Sequence, residues 1–387
     1  MTLANTSTRY GDVAKGLHWL TALMILTLIP LGLVANAMAW DTPEALAAKA
    51  RLFSLHKTLG VALFFVALAR IGWALSQTKP GPMHPDRRGE VFLASAVHWA
   101  LYGALVVVPL SGWVHHAASQ GFAPILWPFG QGLPVVPKSE TVAGGAAAVH
   151  WLGGRVLMAA LALHVAGAMK HHFWDRDATL KRMWFGGTQA GAPAREGRGP
   201  FLAAAAIWAT VLISGIGLAP PPETPDGPAL APVETGWQVE NGTLTIRITQ
   251  FEQEVRGVFA EWTAAIEFDP DSGTGSVDVV VSIPSLTLGS VTKEAMAPAY
   301  FDADTYPEAR YMARIAPNGD GYVATGTLTL KGREEPVALP FKLDIADGTA
   351  VMSASLQLDR SDFGIGDPAD KTLGAGVTVE VELTARL

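Results

Sequence analysis

Four histidines, His18, His56, His150 and His164, stand within or at the mouths of apolar runs long enough to cross a bilayer. An imidazole in hydrocarbon is costly without a partner, so such a residue is read first as functional. Imidazole nitrogen ligates iron, and two histidines on facing helices can hold one haem between them. His150 and His164 are fourteen residues apart. At ~1.5 Å per residue that is roughly 21 Å along a helix and close to four full turns, so both rings leave one face at two depths. His18 follows Lys15 near the start of the first run, His56 opens the second run and His150 the fourth. Matching depth pairs His56 with His150 near one membrane surface and His18 with His164 near the other. The competing reading of each residue is a core histidine bonded to a neighbouring carbonyl. Four histidines matched in depth, two of them on one face, favour ligation of two haems.

Other residues could serve such a centre. His98 opens the third run at the same end as His18 and is the main rival, as a haem ligand or as part of a quinone pocket. Arg155, about one turn inside His150, and Lys57, next to His56, suit haem propionates or an incoming anion. Snorkelling explains a basic residue at such a depth equally well, and it is the reading given to Arg70 near the end of the second run. Gly60, one turn after His56, leaves room for a porphyrin or for a neighbouring helix. His84, His115, His116, His171 and His172 read as loop or interface residues. The chain has no cysteine, which excludes disulfides, iron–sulfur clusters, thiolate zinc sites and c-type haem attachment.

The elements that must position these residues are five apolar runs, at about 16–38, 55–76, 91–114, 147–169 and 201–219. Each approaches or reaches the ~20 residues that span a bilayer. The segments before the first run, between the second and third, and between the fourth and fifth are rich in Lys and Arg, the last including Lys170, Arg176, Lys181, Arg182, Arg195 and Arg198. The other loops are poor in them, so the positive-inside rule puts the N-terminus in the cytoplasm and the chain beyond the fifth run outside. The first run is too long for a cleavable signal peptide and reads as a bundle member. The fifth ends at Pro220, and PPETPDGP after it reads as a stiff linker.

Charge divides the chain at the same place. Residues 1–222 hold 17 Lys and Arg against 9 Asp and Glu, and residues 223–387 hold 11 against 26. The basic residues cluster between apolar runs, which favours membrane topology over nucleic-acid binding. From about Trp237 the period becomes two: Leu244, Ile246 and Ile248 alternate with polar residues, as do the sets starting at Val277 and at Val377. Turn signals such as DPDSG and PNGDG separate these runs, which argues for an antiparallel barrel or sandwich.

The stretches YGDVAKGLHWLTALMIL, LHKTLGVALFFVALARIGW, VPLSGW and HWLGGRVLMAALALHVAGAMKHHFWDRDATLKRM resemble the bacterial cytochrome b561 family, over about residues 8–185. That resemblance implies a four-helix transmembrane bundle, two b-type haems with His18, His56, His150 and His164 in the ligand positions, and quinone-linked electron transfer. Some family members oxidise superoxide with ubiquinone as acceptor. The stretches VRGVFAEWTAAIEFDPD, AYFDADTYPEARY, GTLTLKGREEPVALPF and LDRSDFGIG resemble the YceI-like family, over about residues 236–387. That resemblance implies a lipocalin-like barrel whose apolar cavity holds a polyisoprenoid or quinone tail. Phe259, Trp262, Phe301, Tyr306 and Phe363 are the aromatic candidates for that cavity, or are ordinary barrel core.

The expected organisation is a four-helix di-haem domain over 1–190, a basic loop, fifth transmembrane helix and linker over 191–233, and a β-barrel domain over 234–387. The expected place is the bacterial inner membrane, with the barrel in the periplasm. The expected activity is oxidoreductase chemistry linking the haems to quinone, with superoxide or a redox protein as partner. Two alternatives stay open: an isoprenoid carrier anchored by the bundle, and a cytochrome b subunit serving a separate dehydrogenase.

Overall fold

The computed structural model describes residues 2–39, 42–121, 123–184, 197–217, 230 and 236–387. Arg195, the last two residues of the fifth apolar run and the Pro-rich stretch from Pro220 lie outside the described residues. The chain divides into a helical unit and a second unit, the β unit, that contains the strands and also Met38–Arg51, which includes the start of the second helix, and Ser119–Pro124.

The helical unit is built on α1 (Asp12–Ala37), α2 (Pro43–Ser76), α3 (Arg88–Ala118), α4 (Glu140–Lys170) and α5 (Gly199–Gly217). All five are long and apolar enough to cross a membrane. The first four exceed the apolar runs that revealed them, because charged first turns such as Asp12 and Glu90 extend the helices beyond the hydrocarbon-like segment. Acidic side chains at a helix N-terminus also complement its dipole. The Ser139 hydroxyl caps α4 by accepting from the Val142 backbone N–H. At its other end α4 runs into a π-helical turn, His171–Asp175, and stops at Arg176, whose left-handed φ of 55° breaks the ladder.

Close backbone approach is concentrated among α3, α4 and α5. Small residues permit it: the Trp208 indole of α5 lies against Gly103 of α3 and donates to the Ala100 carbonyl at 3.1 Å. α1 and α2 join this core through side chains, with Ile25, Leu28, Leu63 and Ala67 buried against Leu105, Val149 and Leu157. The four histidines lie on α1, α2 and α4.

The β unit is one antiparallel ten-stranded sheet. Its strands are β1 (Gln238–Gln250), β2 (Gln253–Phe259), β3 (Trp262–Asp269), β4 (Thr274–Ser282), β5 (Leu286–Thr287), β6 (Glu308–Asn318), β7 (Gly321–Leu330), β8 (Arg333–Ala346), β9 (Thr349–Asp359) and β10 (Gly376–Arg386), with a short helix α6 (Thr292–Met296) between β5 and β6. The spatial order is β3-β4-β6-β7-β8-β9-β10-β1-β2-β5. A bridge between Trp237 and Ile266 brings the start of β1 back to β3, so the sheet curls on itself. Two-residue turns at Lys331-Gly332 and Asp347-Gly348, all four residues with positive φ, match the twist of the flanking strands. The period-two sets begun by Leu244, Val277 and Val377 all face the interior, as alternation in a one-sided sheet requires.

Candidate functional site

The histidines form two pairs. His56 of α2 and His150 of α4 face each other with ring centroids 6.2 Å apart. His18 of α1 and His164 of α4 do so at 6.1 Å. An iron held between two imidazoles sets this distance independently. A metal–nitrogen distance of about 2 Å on each side, plus half a ring on each side, calls for centroids about 6 Å apart. Both pairs fit that span.

Hydrogen bonds also fix the tautomer of the His56–His150 pair. His56 Nδ1 lies 3.1 Å from the Leu28 carbonyl and His150 Nδ1 2.8 Å from the Val108 carbonyl. A carbonyl only accepts, so each Nδ1 carries the proton and each Nε2 keeps its lone pair for a metal. The same local device makes both bonds. Leu28 is four residues before Gly32, and Val108 four before Gly112. A Cβ on Gly32 would sit 2.7 Å from His56 Cε1, and one on Gly112 2.9 Å from His150 Cε1. Each glycine therefore opens a notch through which the imidazole reaches the carbonyl one turn back. Around Gly60 no atom lies within 4 Å of where a Cβ would stand, so that side of α2 is open.

The His18–His164 pair has different neighbours. Arg70 of α2 places a guanidinium nitrogen 3.2 Å from His18 Nδ1, and the same guanidinium stands 5.6 Å over the Tyr102 ring. His98 lies edge-on to His164 at 5.0 Å, closer than an iron between the two rings permits. Its Nδ1 bonds the Ala94 carbonyl of its own helix at 2.6 Å.

The remaining basic candidates are engaged elsewhere. Lys57 Nζ is 3.3 Å from Nδ1 of His116, a buried residue whose Nε2 meets Gln131. Arg155 is exposed, lies 3.2 Å over the Trp151 ring and donates to the Trp151 carbonyl. His84 and His171, read from the sequence as loop and interface residues, share one carboxylate oxygen of Asp177 at 3.0 and 2.7 Å. Burial opposes ionisation of Asp177, but hydrogen bonds from Thr179 and His171 outweigh it and hold its pKa at about 2. Nearby, Arg87 and Lys170 pair with Asp175 and Glu90.

Sequence reasoning passed over Arg70 as a snorkelling residue. The signal was present: it is the one Arg or Lys of its run that falls at the depth of His18 and His164.

The curled sheet encloses an apolar cavity of about 300 Å³. Phe259, Trp262, Phe301 and Phe363 line it. Tyr306 does not: it precedes β6, is 37% exposed and covers Gly332, where a Cβ would meet its ring. Two polar side chains at the wall, Tyr311 and Arg360, spend their donors on backbone carbonyls. The Tyr311 hydroxyl donates to the Ala324 carbonyl at 2.6 Å, and burial pushes its pKa up to about 12. Buried Arg360 donates to the carbonyls of Gly374, Ile365, Asp367 and Leu373. The cavity therefore offers hydrocarbon contact.

Residues 9–186 match the family model for prokaryotic cytochrome b561, and residues 237–385 match that for the YceI-like domain. The chain is 31% identical over 194 residues to cytochrome b561 homolog 2 of Escherichia coli (strain K12), an alignment covering 47% of this chain and 95% of that protein. It is 24% identical over 181 residues to a Yersinia pestis protein named probable superoxide oxidase CybB, covering 45% of this chain and 95% of that one. Among solved structures it is similar to BcnA of Burkholderia cenocepacia, with 27% identity, a TM-score of 0.36, and coverage of 37% of this chain and 95% of that one. With five helices among the described residues long and apolar enough to cross a membrane, the chain belongs to the cytochrome b561 family of b-type membrane cytochromes and carries a YceI-like domain in its C-terminal part.

Proposed function

We propose that this chain is a di-haem, quinone-linked electron-transfer protein of the bacterial inner membrane. His56 and His150 hold the outer haem, and His18 and His164 the inner one. The observation that carries the reading is the repeated ring spacing, 6.2 and 6.1 Å, at two depths of one helix. Haem bound there supplies reversible one-electron chemistry across the bilayer. The chain supplies axial nitrogens, the backbone carbonyls that orient the outer pair, and the field around each site. His98, edge-on to His164, is the proposed quinone- or haem-pocket residue of the inner site.

The proposed orientation follows the positive-inside rule, with the N-terminus cytoplasmic and the β unit periplasmic. Superoxide is the proposed donor outside and ubiquinone the acceptor. Each superoxide gives up one electron and leaves as dioxygen. Two electrons and two protons turn one quinone into quinol. The naming of a relative as a probable superoxide oxidase supports the donor. The apolar wall of the cavity, with Tyr311 and Arg360 turned to backbone carbonyls, supports an isoprenoid chain as its occupant. A tethered site of that kind raises the local concentration of quinone at the membrane.

The test is turnover by the purified full chain in detergent, with a superoxide source and a short-chain ubiquinone. Quinol formation that superoxide dismutase abolishes is expected. Quinol formation unchanged by the dismutase would remove superoxide as donor. An absence of turnover, together with a stoichiometric partner on purification, would assign the chain to a separate dehydrogenase.

A further inference from the structure

A guanidinium inside an apolar span is costly unless it meets an anion. Arg70 lies on α2 within such a span, half-buried, between the His18 ring and the Tyr102 ring. Among the described residues no Asp or Glu pairs with it. Its polar neighbours are the neutral Tyr102 hydroxyl, to which it donates, and His18 Nδ1, at 3.2 Å.

That neighbour creates a conflict, given the proposed ligation of the inner haem by His18 and His164. Ligation through Nε2 leaves the ring proton of a neutral imidazole on Nδ1. Arginine has five donors and no acceptor. A ligating His18 and Arg70 would then point donors at each other at hydrogen-bond distance. The outer pair has no such conflict, because carbonyls receive the protons of His56 and His150. The inner site therefore lacks an acceptor for the His18 Nδ1 proton, and the charge of Arg70, bonded only to the neutral Tyr102 hydroxyl, meets no carboxylate among the described residues. A carboxylate answers both needs, and a haem carries two. Lys57 and Arg155, the basic residues that sequence position alone suggested, have their cations on His116 and Trp151 instead.

We infer that Arg70 is the residue that holds a propionate of the inner haem. The guanidinium fork matches a carboxylate in two-point geometry, which the ammonium of a lysine cannot reproduce. The cation next to the inner site also favours the reduced, less positive iron, so it raises the inner midpoint potential relative to an Arg70-less protein.

The test compares Arg70→Gln and Arg70→Lys with the unaltered full chain, reading haem release to an apo-globin acceptor and the midpoint potential of each spectral component. In Arg70→Gln the inner haem should leave about tenfold faster, the scale of one charge-assisted hydrogen bond, and its potential should fall while the outer component stays put. Arg70→Lys should restore the potential in part and the retention less. Reconstitution with haem dimethyl ester, whose propionates are blocked, supplies the second arm. It should reproduce the fast release in the unaltered chain and add little in Arg70→Gln. Equal release from the unaltered and Gln chains, or an ester penalty as large in Arg70→Gln as without the substitution, would overturn the inference and leave the ligation standing. A tight anion contact to lipid phosphate would show as an Arg70 effect with no ester effect, and would also overturn it. A chain with no inner spectral component at all would remove the ligation and this inference together.

Discussion

His150 and His164 stand fourteen residues apart on α4, and each faces a histidine of another helix across nearly the same ring spacing. One helix thus serves two sites, because fourteen residues is close to a whole number of turns. The two sites differ in what lies behind the rings. Backbone carbonyls of α1 and α3 receive the His56 and His150 protons, whereas a guanidinium of α2 faces His18.

The pairing predicts separable losses. His150→Ala should remove mainly the outer haem component and His164→Ala mainly the inner one, as read by low-temperature difference spectra and haem per chain. Loss of one and the same component from both variants would show that the depth pairing is wrong.

The glycine notches predict a second, subtler loss. Gly32→Ala and Gly112→Ala each drive a methyl group into the ring of an outer histidine, at 2.7 and 2.9 Å from Cε1. Overpacking of this kind costs about 1–3 kcal/mol, and it should appear as weakened outer haem with the inner component unchanged. Gly60→Ala meets no protein atom within 4 Å. Any outer-haem loss it causes therefore reports the porphyrin itself lying against Gly60. Normal outer haem in both notch variants would contradict the positioning argument.

The β unit predicts a concentration effect. A chain ended before residue 223 should keep both haems and lose turnover when quinone is limiting, while turnover at saturating quinone stays near that of the full chain. Equal rates at limiting quinone would sink the delivery role and leave the cavity with a separate task.

The Asp177 junction predicts a pH effect. Its carboxyl titrates at about 2 in the folded chain, below the ~3.9 of a free aspartate. A depressed carboxyl contributes stability that is full above about pH 4 and is lost as pH falls towards about 2. Asp177→Asn should therefore speed proteolytic cleavage around residues 176–184 at neutral pH, and the gap from the unaltered chain should narrow near pH 2–3 with an acid protease. A gap of the same size at both pH values would mean that ionised Asp177 does not tie the junction.

Much of this was legible in the residues. Apolar length exposed all five helices, and period-two alternation exposed the strand faces, because burial is what both patterns record. The histidine pairs followed from depth alone. Helix ends were less legible: α4 begins at Glu140 and not near residue 147, since a cap at Ser139 adds turns that hydropathy does not mark. The roles of Arg70, Lys57 and Arg155 depend on which neighbouring helix each side chain meets, and a single sequence carries no direct record of that. Tyr306 failed as a cavity residue for a similar reason. It lies before β6, outside the alternation that sends Val277 or Val379 inward.

The central claim is most directly tested by the reduced-minus-oxidised spectrum of the purified full chain, with haem quantified against protein. Two b-type haems per chain, resolved as two potentials, is the result this account predicts. A single haem per chain, with all four histidines present, would contradict it.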